Sequence, residues 1–250
     1  MSRDGDGFWV RSLAETYRTG GRTPWHDHPW GQLAYASAGV MHVRTPTSVW
    51  VTPPTRAVWL PPGLPHQLLI RGEAALRTLY IDPITAAGLP AEEAVLEISP
   101  LLRELILHIL TIGMLGPDDP GHERLASLLI DLLLKAPPQD LALPLPTDRR
   151  ALALAERIQA DPGERAELAA LAQDAGASLR TLQRLFPEQT GFSLELWRQK
   201  ARMVHAVTLL CAGQSVTATA MDCGYDSLSA FITAFRRQFG VTPGRYRPTP

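Results

Sequence analysis

The chain has 250 residues, of which 45% are hydrophobic and 20% charged, with a formal net charge of -1. That length fits one or two domains with real cores, and the composition excludes a wholly disordered chain. No apolar run approaches the roughly 18 residues needed to cross a bilayer, and the N-terminus MSRDGDGFWVRSLAE lacks the apolar region of a secretory signal. Two cysteines, Cys211 and Cys223, make neither a disulfide framework nor a zinc-finger spacing. A reducing cytoplasm is therefore the expected compartment, with no membrane partner.

The charge is unevenly placed. Residues 1–146 hold 11 basic and 15 acidic side chains, residues 147–250 hold 13 and 10, and from Arg180 onward the count is 9 against 4. The C-terminal half is thus the one expected to meet an anionic partner.

In chain order, the first 85 or so residues read as β. GQLAYASAG, VMHVRT, SVWVTPP, AVWLPP, HQLLIRG and ALRTLYID are short, rich in Val, Leu, Trp and Tyr, and punctuated by Gly and Pro, the pattern of a sandwich or barrel. LLRELILHILTIGM and HERLASLLIDLLLKA follow with apolar residues at helical spacing around the turn GPDDPG. His108 and His205, in apolar helical segments, read as packing residues. APPQDLALPLPTD (136–148), with its prolines, reads as a semi-stiff linker. Beyond it the spacing predicts helices over 149–159, 165–174, 178–188, 193–211, 215–222 and 227–238. The expected divisions are 1–90 for a β domain, 91–135 for a helical pair, 136–148 for the linker and 149–250 for a helical domain.

The helical half repeats itself at an offset of 48 or 49 residues. Ala172, Gly176, Ser178, Leu182, Phe186 and Gly191 recur as Ala220, Gly224, Ser227, Phe231, Phe235 and Gly240. Each copy suits a helix-turn-helix. A small residue permits close helix approach, a glycine ends the first helix, a serine caps the second, and two apolar residues one turn apart face the core. A helix with Leu194, Trp197, Ala201, Val204, Val207 and Leu210 on one face lies between the copies. A rigid helix there would set the spacing of two heads that must reach successive turns of duplex, about 34 Å apart.

These residues carry a resemblance. GYDSLSAFITAFRRQFGVTPGRYR closely resembles the signature of the AraC/XylS family of bacterial transcription regulators at Gly224, Phe231, Phe235, Arg236, Phe239, Gly240, Pro243, Tyr246 and Arg247. It implies double-stranded promoter DNA as partner, RNA polymerase as a candidate partner, and a homodimer. In the first recognition helix Arg180, Thr181, Gln183 and Arg184 are the candidate readers, since Arg pairs bidentately with guanine and Gln with adenine. In the second, Leu228, Ser229, Ile232 and Thr233 offer thymine-methyl and weak polar contacts. Arg236, Arg237, Arg198 and Arg202 are candidate phosphate contacts. Pro187 departs from the family pattern and is expected to kink or shorten the first recognition helix.

A second resemblance lies upstream. Gly20, His26-Asp27-His28, Gln32 and Gly39, followed by Pro61-Pro62-Gly63-Leu64-Pro65-His66, are similar to the two motifs of the cupin superfamily, with Gln32 where Glu is usual. It implies a barrel in which His26, His28, Gln32 and His66 hold one divalent first-row transition metal. The alternative is a metal-free pocket for an organic effector. Trp30, Tyr35, Trp50 and Trp59 are the candidates for lining its mouth. His42, off the motif, reads as structural or surface. Leu101, Leu105, Leu125, Leu128, Leu129, Leu132 and Leu133 exceed what covering a barrel needs, which points to a dimer interface on the helical pair.

The expected architecture is α+β and multidomain: an N-terminal cupin β-barrel with a helical dimerisation segment, then an all-α domain with two helix-turn-helix motifs. The leading reading is a sequence-specific DNA-binding regulator whose cupin domain senses a metal ion or small effector, and not an enzyme. The other reading, a metal-dependent cupin enzyme (a dioxygenase or isomerase) with an appended helical domain, leaves the repeated helix-turn-helix without a role.

Overall fold

The first core is a sheet roofed by two helices. The computed structural model describes residues 7–18, 20–70, 72–139 and 142–246. The described chain divides into two units. The first takes the chain up to Pro46 and then Trp50–Ala142, and the second takes Thr47–Val49 and the chain from Leu143 onward.

The strands are β1 (Val10–Tyr17), β2 (Gly21–Arg22), β3 (Gly31–Ala38), β4 (Met41–Arg44), β5 (Ser48–Thr52), β6 (Arg56–Leu60), β7 (Gln67–Ile70), β8 (Ala74–Ile81) and β9 (Ala94–Glu97). There follow α1 (Pro100–Ile112), β10 (Met114–Leu115), α2 (Pro120–Lys135), β11 (Pro138–Gln139) and β12 (Ala142–Pro144). Seven strands form one antiparallel sheet in the order β10-β1-β8-β3-β6-β9-β11, and within this unit a second sheet runs β5-β4-β7-β2. The sheets remain separate, so the expected barrel is two open sheets.

Strand β3 shows how the layers arise. Its residues from Gly31 to Ala36 are all buried, so both faces of the strand are covered. Leu33 and Tyr35, with Trp59, Leu79 and Ile81, pack against Leu102, Ile106 and Ile109 of α1 and Leu129 and Leu133 of α2. Alternation puts Gln32, Ala34 and Ala36 on the opposite face. Ser99 caps α1 by accepting from the Leu102 N–H, and Asp119 caps α2.

Two expected divisions change. The helical pair is not separate from the β part, because α1 and α2 share one core with β3, β6 and β8. The prolines of 136–148 do not make a free linker either. Pro138 and Gln139 pair with Leu96 and Val95 at the end of a sheet, where the N–H that proline lacks is not needed. Leu143 and Leu145 are buried in the core of the second unit. Asp140 and Leu141 of that segment lie outside the described residues.

The second unit is helical: α3 (Arg149–Ala160), α4 (Leu168–Asp174), α5 (Leu179–Thr190), α6 (Leu194–Cys211), α7 (Val216–Asp222), α8 (Leu228–Phe239) and a 3-10 turn over Pro243–Tyr246. It has two cores. The first joins Leu154, Leu171, Ala172, Leu182, Phe186, Leu194, Trp197 and Ala201. The second joins Met203, Ala206, Val207, Leu210, Ala220, Phe231 and Phe235. Among the described residues, α6 serves both, turning one face to the first core and another to the second. Val204, expected on the core face, is half-buried. Among the described residues, no helix is long and apolar enough to cross a membrane.

Candidate functional site

The repeat folds as two helix-turn-helix units. Gly176 and Gly224 take positive φ (71° and 74°), which L side chains rarely adopt, and so end α4 and α7. The Ser178 hydroxyl accepts from the Thr181 N–H and the Ser227 hydroxyl from the Ala230 N–H, capping the two recognition helices α5 and α8. Leu182, Phe186, Phe231 and Phe235 are buried beneath them. Helix α5 runs unbroken through Pro187 and ends in the left-handed turn at Gly191, so the expected shortening does not occur.

On the outer face of α5, Arg180, Gln183 and Arg184 are exposed. Gln183 donates to Glu195 Oε1 at 3.1 Å, and Arg184 pairs with Glu188 at 2.9 Å. Thr181 is half-buried, and its hydroxyl lies 2.8 Å from that of Ser178, which ties it to the cap. On α8, Leu228, Ser229 and Thr233 are exposed, while Ile232 is half-buried against the second core. Arg236 and Arg237 are exposed in the last turn of α8. Arg247 lies outside the described residues.

Arg198 and Arg202 are not free for phosphate. Arg202 donates to the backbone carbonyls of Pro162 and Glu164, both at 3.1 Å, and Arg198 donates to the Glu164 carbonyl. Burial, and then the neighbouring Arg202, push the Arg198 guanidinium below its ordinary value.

In the first unit three imidazoles converge. His26 and His66 form an antiparallel bridge, with N–H···O bonds of 3.1 and 2.9 Å in the two directions, which sets their side chains on one side. His28 joins them, and one ring nitrogen from each of the three lies within 4.8 Å of the others. Every Nδ1 sits on a backbone carbonyl: His26 on Pro24 (2.9 Å), His28 on Trp30 (2.7 Å) and His66 on Leu64 (2.9 Å). A carbonyl only accepts, so each Nδ1 carries the proton. A neutral ring so fixed keeps its lone pair on Nε2, the atom left for a ligand. His66 is fully buried, its Nε2 has no hydrogen-bond partner among the described residues, and burial lowers its pKa to about 4.

Gln32 completes the set. Thr78 donates its hydroxyl proton to the Leu33 carbonyl (3.1 Å), so it can only accept from Gln32 Nε2 (2.9 Å). The amide oxygen is thereby turned to His28 Nε2 at 3.0 Å. A doubly protonated His28 makes that contact a hydrogen bond, whereas a neutral ring turns two lone pairs toward each other, an arrangement that a shared metal ion would relieve. The donor set, three imidazoles and one amide oxygen with an orphaned buried nitrogen among them, fits a divalent first-row metal.

The family matches agree with the division into an N-terminal β unit and a C-terminal helix-turn-helix unit. Residues 8–173 match the family described as AraC-like ligand binding domain, and residues 171–249 match a helix-turn-helix domain family. The HTH-type transcriptional regulator NimR of Escherichia coli K12 is 36% identical over 224 residues, which cover 90% of this chain and 82% of that protein. The chain belongs to the AraC family of transcription regulators. The HTH-type transcriptional regulator RipA of Corynebacterium glutamicum is 37% identical over 103 residues, 41% of this chain and 31% of that protein. Among solved structures, ToxT of Vibrio cholerae covers 95% of this chain and 97% of its own, at 10% identity and a TM-score of 0.40.

In this AraC-family regulator two of the four aromatic residues expected at a pocket mouth are turned away from the His and Gln cluster. Tyr35 lies on the face of β3 opposite Gln32, and Trp59 pairs with Leu33, so both point to the helices. Their polar atoms are used there, Tyr35 donating to the Pro54 carbonyl and Trp59 to the Pro90 carbonyl. Trp30 is buried with the Arg11 guanidinium 4.6 Å from its ring centroid. Trp50 is buried too. Sequence reasoning missed Thr78, which orients Gln32, and Tyr80, which pairs with Gln32 across β3–β8 and sets its ring edge-on to His28 at 5.1 Å. Their even spacing along ALRTLYID was the available signal. His108 is exposed, not a packing residue.

Proposed function

We propose that the protein is a DNA-binding transcription regulator whose N-terminal unit senses a divalent first-row transition metal through His26, His28, His66 and Gln32. The supporting observation is the pinned tautomer set: three Nδ1 protons fixed on carbonyls, with the fully buried Nε2 of His66 left without a partner. All four donors are neutral, so the site contributes no charge to offset the cation. That suits exchangeable binding by a sensor more than permanent retention of a cofactor. His26 and His28 are half-buried, giving the ion a way in from solvent. A bound ion would act as a Lewis acid, open to an effector ligand.

Switching requires the ion to bind the DNA-competent and DNA-incompetent arrangements unequally. Helices α1 and α2 leave Leu101, Leu128 and Leu134 exposed, while Leu105, Leu129 and Leu133 are used in the core. We infer that a second copy covers the exposed leucines, doubling the DNA footprint. Contact with RNA polymerase belongs to the same reading.

The test is metal analysis by inductively coupled plasma mass spectrometry on untagged protein never exposed to chelator, followed by DNA binding with and without the ion found. About one ion per chain is expected, lost in His28→Ala and His66→Ala, with DNA affinity changing about fivefold or more. Gln32→Glu adds a charge and should hold the ion more tightly. A protein that takes up none of Fe, Ni, Zn, Mn or Co overturns the metal reading.

A further inference from the structure

The two reading heads are joined twice. Helix α6 is the covalent link, with 18 residues and a length of about 27 Å. A second connection lies beside it. The loop after α3 belongs to the first head, and Glu164 in that loop is tied back to Arg157 of α3 by two bonds of 3.2 and 2.9 Å. The same loop reaches the turn between α7 and α8, which belongs to the second head. Gly163 packs so closely there that an added Cβ would lie 2.0 Å from the Asp222 carbonyl oxygen. At Gly224 an added Cβ would lie 2.7 Å from the Gly163 carbonyl oxygen and 3.1 Å from Arg202 Nη2. Arg202, midway along α6, grips the loop through the Pro162 and Glu164 carbonyls. Arg165 and Asp226 pair across the same junction at 3.0 Å, but both are exposed and add little.

We propose that Gly163, Gly224 and Arg202 form a positioning joint that holds the two recognition helices at one spacing and one rotational phase. The inference rests on both units touching DNA. With a helix alone between them, the heads would bend and twist relative to one another and accept several spacings. With the joint closed, the second head is presented to the groove at one place, which raises its effective concentration at a correctly spaced site and lowers it elsewhere. Three half-buried contacts between backbone carbonyls and guanidinium groups suit this role better than exposed ion pairs, because salt screens them less. They also explain why two arginines on the helix between the heads turn inward instead of toward phosphate.

The test uses the full chain and duplexes selected by it from a random library, with the two protected segments located by footprinting. Four probes are compared: the intact site, the site with either segment scrambled, and the site with one base pair inserted between the segments. Gly163→Ala is the sharpest variant. Gly163 is not at positive φ, so its penalty is the collision with Asp222 alone. Arg202→Met, which keeps the length and apolar stem, serves if the alanine variant fails to fold by circular dichroism.

The wild type should lose about 30-fold or more on the insertion. Either variant should bind the intact site about 10-fold more weakly, bind the scrambled probes unchanged, and lose less than about threefold on the insertion. Variants with the full wild-type insertion penalty overturn the joint. Wild-type binding indifferent to scrambling one segment overturns instead the reading that both heads touch DNA.

Discussion

The two helix-turn-helix units share a scaffold and differ in what they show the solvent. Both use a glycine at positive φ, a serine cap and two buried apolar residues one turn apart. At the outer positions the chemistry is reversed. Arg180, Gln183 and Arg184 of α5 correspond to Ser229, Ile232 and Thr233 of α8, while Pro187 and Glu188 correspond to Arg236 and Arg237. Strong base-edge donors therefore sit in the N-terminal half of the first helix, the half that enters the groove. Positive charge sits at the C-terminal end of the second, where it also complements the helix dipole. The repeated fold keeps its internal packing while its two surfaces differ, and we propose that the first head reads and the second holds.

That comparison can be attacked at each level. The largest effect concerns what the heads share. Phe186→Ala and Phe235→Ala each remove a fully buried ring and should each cost about 3–5 kcal/mol in denaturant melts. A markedly smaller loss for one would mean its core is loosely packed and the scaffolds are not equivalent.

Next comes what separates them. Arg180→Ala should lose about 1–3 kcal/mol of discrimination at one base position in a binding-site selection. Ile232→Ala should lose less, and Arg236→Ala should weaken all sequences alike and lower the salt slope by about one. Equal relaxation of specificity by Arg180→Ala and Ile232→Ala would erase the division between reader and anchor.

A smaller effect tests the caps. Ser178→Ala and Ser227→Ala should each cost about 1 kcal/mol of stability, checked by thermal melts. The smallest concerns Glu188, whose pair with Arg184 is exposed. Glu188→Ala should move stability by only about 0.3–0.5 kcal/mol, yet free Arg184 for DNA and strengthen binding measurably. Unchanged DNA affinity would show that the pair does not restrain Arg184.

The helical half was closely legible because its signals are local. Ser178, Ser193, Ser215 and Ser227 each cap the helix that follows, within a residue or two of the boundary expected from the chain. The β half was less so. Strand β1, VRSLAETY, buries only its first residue and shows no alternation, and β9 lies in a stretch that reads as the approach to a helix. The His and Gln cluster was readable from parity and motif spacing. The expected pocket mouth was misread at Tyr35, since Tyr35 and Gln32, three apart on one strand, face opposite ways. The inward turn of Arg198 and Arg202 was not readable, since their partners are backbone carbonyls 34 to 40 residues away, and a carbonyl has no sequence signature.

One feature of α6 reaches into folding. It lends Leu194, Trp197 and Ala201 to one core, and Met203, Ala206, Val207 and Leu210 to the other. Neither core can persist once that helix unravels, so the DNA-binding unit should behave as a single foldon. Its α6 amides would exchange hydrogen only through global opening, later than those of α4 or α7. Cutting the chain at Gly213, between the heads, would strip the second core of its main helix and leave Met203 to Leu210 bare on the fragment that kept it. Two heads with separate recognition helices are in this sense inseparable as folded objects.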